Sequence, residues 1–250
     1  MSNETSIEQK VYEYEYEYCM FMGISSLPEY RIEPYHFVPQ KTIAKAQARY
    51  DFCANQYVLR VCEDFELSRN TLFHEFTHIL DNEEVGGTDI GNYLFSIGYT
   101  EYHAAQIALL ELLGCRSAKD ENFRFSMKVQ CADYPSVSDY ILDRRQRYLN
   151  DMKSIIIPND MGLIKDELGI LFNYLGFVSV CKMYGTDYDE IADDELFSFF
   201  SMGDGMSIKN LMVGWLDNEK VKESMSLFKR ILLPLISEKD KRDLAFYNII

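Results

Sequence analysis

Two histidines four residues apart, with a glutamate directly after the first, are the side chains best suited to chemistry in this sequence. They are His74 and His78, with Glu75, in the run His-Glu-Phe-Thr-His. On a helix, residues four apart lie one above the other, so both imidazoles can bind one metal ion while the Glu75 carboxylate lies beside it. The pattern indicates a metal-dependent hydrolase in which Glu75 is the base. The alternative is a helix whose two histidines make ordinary surface hydrogen bonds.

The residues around this motif predict the helix that must position it, from Arg69 to Glu84. Ser68 stands where an N-cap is expected. Apolar residues recur at helical period and predict the buried face. These apolar residues are Leu72, Phe73, Phe76, Ile79 and Leu80. His74 and His78 fall on another face, so they are not expected to be core residues.

A catalytic zinc ion takes three protein ligands and leaves a fourth position for water. The best candidate for the third ligand is Glu101, near the start of a second predicted helix over residues 100–113, with Thr100 as its N-cap and Gly114 at its end. Small residues share a face with Glu101 and would let this helix approach another one closely. They are Ala104 or Ala105, and Ala108.

Other residues could compete with Glu101 for the metal. Glu83 and Glu84 lie too near the end of the first helix to reach back easily, whereas His103 is either a competing ligand or a group that supports one. A metzincin would carry Gly and His at the positions that Asp81 and Glu84 occupy, so that class fits poorly.

These features resemble the glutamate-zincins, and most closely the ImmA/IrrE-type peptidases, over roughly residues 50–115. That family has a strand before the motif helix and a Glu-x-x-Ala helix that carries the third ligand. The resemblance implies a Zn²⁺ site with His74, His78 and Glu101 as metal ligands and Glu75 as catalytic base. Thr77 stands where Gly is frequent in the family, and no Leu-Met-Pro-like sequence closes the second helix.

The predicted activity is hydrolysis of a peptide bond by a metal-activated water, in an endopeptidase of restricted specificity that acts on a peptide or protein substrate. The alternative is a regulatory or binding protein that retains the zincin scaffold without catalysis. A Tyr or His near the metal usually stabilises the oxyanion. The candidates are Tyr93, Tyr99, Tyr102 and His103, and the sequence does not choose among them.

The predicted fold class is α+β, with a small N-terminal sheet and the two-helix metal site in residues 1–115 and a mostly helical subdomain in residues 116–250. Residues 11–18 alternate Tyr with Glu and predict a half-buried strand. A helix is expected from Ile43 to about residue 55, capped by Thr42, and a strand over Gln56–Cys62 whose edge a substrate could extend. The remaining expected helices are at about 138–156, 160–184, 187–201, 207–216 and 218–236.

Two glycines seven residues apart, Gly169 and Gly176, predict close packing of the second of these helices, and Asp160 is its expected N-cap. The role of the helical half is open, either a lid over the cleft or a partner-binding module.

The composition sets limits on location and partners. A formal charge of −15 argues against general binding to nucleic acid or to anionic membranes. No apolar run approaches the length of a membrane span, and the first residues do not resemble a signal peptide. The six cysteines form no Cys-x-x-Cys pair, so we expect reduced thiols and a cytoplasmic protein. The sequence leaves the oligomeric state open.

Overall fold

The computed structural model of the protein describes residues 6–39, 44–191 and 193–250. Within them the chain is an α+β protein with a three-stranded mixed sheet near the N-terminus and a mostly helical remainder, which confirms the predicted fold class. The strands are β1 (Tyr30–Tyr35), β2 (Ala46–Asp51) and β3 (Gln56–Cys62). The α-helices are α1 (Ile7–Met22), α2 (Arg69–Glu84), α3 (Ile90–Phe95), α4 (Ile97–Leu112), α5 (Val137–Ser154), α6 (Met161–Tyr184), α7 (Met202–Leu211), α8 (Asn218–Leu232) and α9 (Glu238–Phe246).

The sheet has the order β1-β3-β2, with β1 parallel and β2 antiparallel to β3. The predicted strand over Gln56–Cys62 is therefore confirmed, but it is the central strand and both of its edges are paired. β2 is an edge strand, and its backbone reaches α2 through a hydrogen bond from Ala48 to Glu75. The edge beside the predicted metal helix therefore belongs to β2.

The predicted strand over residues 11–18 is wrong, because this stretch lies inside α1. The Ser6 side chain caps the helix by accepting from the Gln9 backbone, and Gly23 ends it at a φ of 70°. Val11 and Tyr18 are seven residues apart and fully buried. The Tyr/Glu alternation has period two, but the burial follows the helical period, and Glu is a good helix former.

The helix predicted from residue 43 to 55 is also wrong. Thr42 and Ile43 lie outside the described residues, and Ala46–Asp51 is strand β2. A tight turn joins β2 to β3. In this turn the Asp51 carboxylate accepts from the backbone of Cys53 and Ala54, and Asn55 has a φ of 53°. Pairing with the apolar strand β3 outweighs the helical propensity of this alanine-containing stretch.

The C-terminal helices agree with the predictions in part. α5, α6 and α8 lie where they were expected, and the Asp160 side chain caps α6 by accepting from Gly162 and Leu163. The predicted helix at 187–201 is wrong, since its described residues contain only a short 3₁₀ helix, Asp194–Phe197. α7 begins five residues before the prediction because Ser201 caps it. Helices α3 and α9 were not predicted.

Helix α4 begins at Ile97, three residues before the prediction, with Ser96 rather than Thr100 at the N-cap position. It packs between α2 and α6, so most of its surface is buried.

The predicted close packing of α6 is confirmed at Gly176. A Cβ atom on this residue would lie 2.2 Å from the carbonyl oxygen of Tyr102 in α4. A Cβ atom on Gly169 would lie 3.5 Å from its nearest neighbour, a carboxylate oxygen of Glu101, which is an ordinary van der Waals distance.

No helix in the described part of the chain is both long enough and apolar enough to cross a membrane.

Candidate metal centre

Helix α2 holds both histidines of the motif on one face. Ser68 precedes the helix as predicted, although its hydroxyl bonds to the side chains of Asn70 and Thr71 rather than to a backbone N–H. Leu72, Phe73, Phe76 and Ile79 are fully buried and fix the orientation of the helix. Leu80, the last residue of the predicted stripe, is only partly buried.

The four-residue spacing places the Nε2 atoms of His74 and His78 3.1 Å apart. Helix α4 brings Glu101 to the same point. Its Oε2 atom lies 3.5 Å from Nε2 of His74 and 3.6 Å from Nε2 of His78. Ligand atoms about 2.0–2.1 Å from a tetrahedral zinc ion lie about 3.3–3.4 Å from one another. The three side chains can therefore hold a metal ion of this size after shifts of only a few tenths of an ångström.

The other predicted competitors lie away from this point. Glu83 accepts a hydrogen bond from the hydroxyl of Tyr57. His103 points its Nδ1 at the buried carboxylate of Asp81, at 2.8 Å, and does not reach the other two histidines. Among the described residues, His74, His78 and Glu101 are the group whose ligand atoms lie within 4.8 Å of one another.

Burial and neighbouring charges have opposing effects on the pKa values of His74, His78 and Glu101. Burial alone would lower the pKa of His74, but the hydrogen bond to Glu101 and the charges of Glu75 and Glu101 outweigh it and raise the pKa. Burial lowers the pKa of His78 to about 4, although Glu101 acts in the opposite direction. Burial would raise the pKa of Glu101, but His78 and His74 lower it to about 2. The site therefore contains an ionised carboxylate beside a neutral His78.

Glu75 lies beside this group and is held by the edge of the sheet. The backbone N–H of Ala48 in β2 donates to Oε2 of Glu75 at 2.6 Å. Oε1 has no hydrogen-bond partner among the described residues. Burial raises the pKa of Glu75 to about 7, because the carboxylate loses its hydration. A carboxyl group with that pKa can both take and give a proton near neutral pH.

The four side chains line one cleft of about 230 Å³, which we call the metal cleft. Ala46 and Ala48 of β2 form one wall and leave room beside the strand. Lys165 and Asp166, near the start of α6, also line it. The C-terminal half therefore contributes two side chains to the lining of the cleft.

Tyr93 is the member of the four oxyanion candidates that lines the metal cleft. The Tyr102 hydroxyl donates to the carbonyl of Gly214, while Tyr99 and His103 lie against Asp81. Burial raises the pKa of Tyr93, which a hydrogen bond from the Tyr50 backbone partly offsets. Its hydroxyl is therefore neutral at physiological pH and can donate a proton to a hydrogen bond.

Sequence reasoning missed Asn173, whose Nδ2 donates to Oε2 of Glu101 at 2.7 Å. This residue lies on α6, 72 positions after Glu101. A usable signal was present, because Asn173 is a single amide within the otherwise apolar stretch from Leu168 to Val178 and stands one turn after Gly169. A polar residue in such a helix needs a partner.

Thr77, the residue that differs from the family pattern, has a local explanation. Its Oγ1 donates to the carbonyl of Phe73 at 2.7 Å and accepts from the hydroxyl of Tyr18 at 3.1 Å. The threonine therefore joins α2 to α1, and it is not among the residues that line the metal cleft.

Comparison of the chain with protein-family models, with curated proteins and with solved structures found no match.

Proposed function

We propose that the protein is a zinc-dependent peptidase of the glutamate-zincin type, with His74, His78 and Glu101 as metal ligands and Glu75 as the general base. One observation carries this proposal. Two neighbouring helices bring two imidazole nitrogens and one carboxylate oxygen to within 3.6 Å of one another, with a second, partly buried carboxylate beside them in the same cleft.

The donor set favours zinc among the biological metals. Two neutral imidazoles with one carboxylate suit Zn²⁺ and leave a fourth position open, whereas Mg²⁺ and Ca²⁺ prefer oxygen ligands alone. Asn173 supports the same assignment, because ligating carboxylates are usually held by a second hydrogen bond.

The residues around the metal position have complementary roles. A zinc ion held by His74, His78 and Glu101 would acidify a water at its open position and polarise a carbonyl group. Glu75 would serve as the base that takes a proton from the attacking water and returns it to the departing amine, while the Ala48 N–H holds its other oxygen in place. Tyr93 donates a hydrogen bond to the carbonyl oxygen that gains negative charge.

The substrate is a peptide or protein segment in extended conformation. β2 is the edge strand that borders the cleft, and the alanines at 46 and 48 leave space along it. An extended chain bound along such an edge would have its carbonyl groups presented to the metal position. A small cleft of about 230 Å³ favours restricted specificity.

The proposed location is the cytoplasm. All six cysteines are free thiols, and five of them are buried, with Cys53 exposed. Free thiols in this number suit a reducing compartment.

Zinc content tests the metal assignment. The purified protein should contain about one zinc ion per chain by elemental analysis. His74→Ala, His78→Ala and Glu101→Ala should each fall well below that value at the same free zinc concentration. Glu83→Ala is the matched control, because it removes a carboxylate from the end of the same helix and should keep full zinc. Full zinc in the three ligand variants would contradict the assignment.

A further inference from the structure

A second cavity, of about 610 Å³, shares no lining residue with the metal cleft. His103 of α4 is its only lining residue on α2 and α4. The ends of α1 and α6 and the segments after α4 and α7 supply the rest of the lining. Cavities of this size typically hold small molecules. We call it the Trp215 cavity, after the single tryptophan of the chain, which lines it.

The interior of the Trp215 cavity is aromatic and polarisable. The Trp215 indole donates from Nε1 to the hydroxyl of Tyr184 at 3.3 Å, and its ring stands edge-on to His103 with centroids 5.7 Å apart. Met22 and Met183 complete the apolar walls. Aromatic rings and thioethers pack well against a flat apolar group. Trp215 nevertheless remains 38% exposed, so part of this surface is unfilled.

His103 is held rigidly where it borders the cavity. Its Nδ1 faces the buried carboxylate of Asp81 at 2.8 Å, and its ring stacks on Tyr99 with centroids 5.7 Å apart. Nε2, on the opposite edge of the ring, has no hydrogen-bond partner among the described residues. His103 therefore lines the cavity in a fixed orientation and has one ring nitrogen without a hydrogen bond to the described residues.

Two exposed cations, Lys119 and Arg124, lie among the lining residues. Neither forms an ion pair with a carboxylate of the described residues, although acidic residues outnumber basic ones 40 to 25. Nη1 of Arg124 donates to the backbone carbonyls of Glu121 and Phe123, which orients the guanidinium group. Glu121 is the one acidic residue of the lining, so the cations prevail at this cavity.

We propose that the Trp215 cavity binds a small aromatic carboxylate, with the ring against Trp215 and Tyr184 and the carboxylate at Lys119 and Arg124. An aromatic cage can also bind an organic cation, but the two basic groups disfavour that ligand. The acidic net charge disfavours a nucleic acid. This site does not depend on the proposed peptidase activity.

The test uses 3-phenylpropionate as probe and its uncharged amide, 3-phenylpropionamide, as the matched ligand. Trp215 is the only tryptophan, so its fluorescence reports binding at this cavity directly. We expect a saturable change in fluorescence with the acid. The affinity for the amide should be lower by about tenfold or more, because the charge-assisted hydrogen bonds are lost. The combined variant Lys119→Gln, Arg124→Gln should bind acid and amide equally weakly.

Two controls keep the result specific. Lys182→Gln with Lys209→Gln removes two cations that line a different cavity and should leave binding unchanged. Removal of zinc with a chelator should also leave it unchanged, which separates this site from carboxylate binding to the metal. The proposal is overturned if neither probe changes Trp215 fluorescence up to millimolar concentration. It is equally overturned if the Lys119 and Arg124 variant binds the acid as the wild type does, or if removing zinc abolishes binding.

Discussion

Asn173 and Glu101 lie on different helices, and the amide nitrogen of Asn173 donates to the carboxylate oxygen of Glu101 that faces both histidines, at 2.7 Å. The helical C-terminal half therefore holds the carboxylate of Glu101 in place. The same α6 helix also lies close to α4 at Gly176, less than one turn further along. Helix α6 thus fixes Glu101 through a hydrogen bond and fixes α4 through close backbone contact.

Replacing Asn173 by Ala should weaken zinc binding about 10- to 100-fold, because the carboxylate of Glu101 loses the group that orients it. The measurement is competition with a chromophoric chelator. Asn150→Ala, an exposed residue of α5, is the matched control and should bind zinc as the wild type does. Unchanged affinity in the Asn173 variant would show that the hydrogen bond does not position the ligand.

Tyr93→Phe should lower kcat for peptide hydrolysis about 10²- to 10³-fold while leaving zinc content unchanged, since it removes one donor to the developing oxyanion. Steady-state kinetics with a cleaved peptide provide the measurement. The control is Tyr16→Phe, which alters a hydroxyl on the exposed face of α1, 70% accessible. Full activity in the Tyr93 variant would remove this residue from the mechanism.

Zinc affinity should fall as the pH decreases from 8 to 6. The pKa of His74 is raised by its hydrogen bond to Glu101 and by the charges of Glu75 and Glu101, against the effect of burial. A protonated imidazole cannot bind metal, so zinc must displace a proton below that pKa. The expected loss approaches about tenfold per pH unit, which corresponds to one proton released. Calorimetry in buffers of different ionisation enthalpy counts this proton, and a pH-independent affinity would contradict the expectation.

Gly176→Ala should reduce the free energy of unfolding by about 1–3 kcal/mol, because the new methyl group must be accommodated against the carbonyl of Tyr102. Gly203→Ala in α7 is the matched control. No atom lies within 4 Å of its added Cβ, and Ala favours a helix more than Gly does. Urea unfolding measures both. A Gly176 variant as stable as the wild type would contradict the close contact of α4 and α6.

Parts of the site that depend on local spacing could be predicted from the sequence. His74 and His78 are neighbours on any helix, and Glu101 lies on a helix whose small residues permit close approach. Asn173 could not be assigned to Glu101, because only the tertiary packing of α6 against α4 joins residues so distant in the chain. A lone amide in an apolar helix indicates that a partner exists but does not identify it.

The two wrong elements of the N-terminal region have one physical cause. For short segments, the burial that packing imposes decides the conformation more than local pattern does. Residues 11–18 alternate at period two, yet Val11 and Tyr18 are buried on one side of a helix. Residues 46–51 include two alanines, which favour a helix, yet they pair with residues 56–61 of β3. The helix caps at Ser6 and Asp160 depend on nearby residues alone and could be predicted from the sequence, but only the cap at Asp160 was predicted.

The most direct test of the central claim compares the wild type with Glu75→Gln, each loaded with zinc, on a broad peptide library. The substitution keeps the shape of the side chain but removes the base. The account predicts equal zinc content in both proteins and hydrolysis at least about 10²-fold slower in the variant. Equal cleavage by the two proteins would contradict the role of Glu75. A wild type with one zinc per chain and no cleavage of any peptide would contradict the peptidase and favour a non-catalytic binding protein.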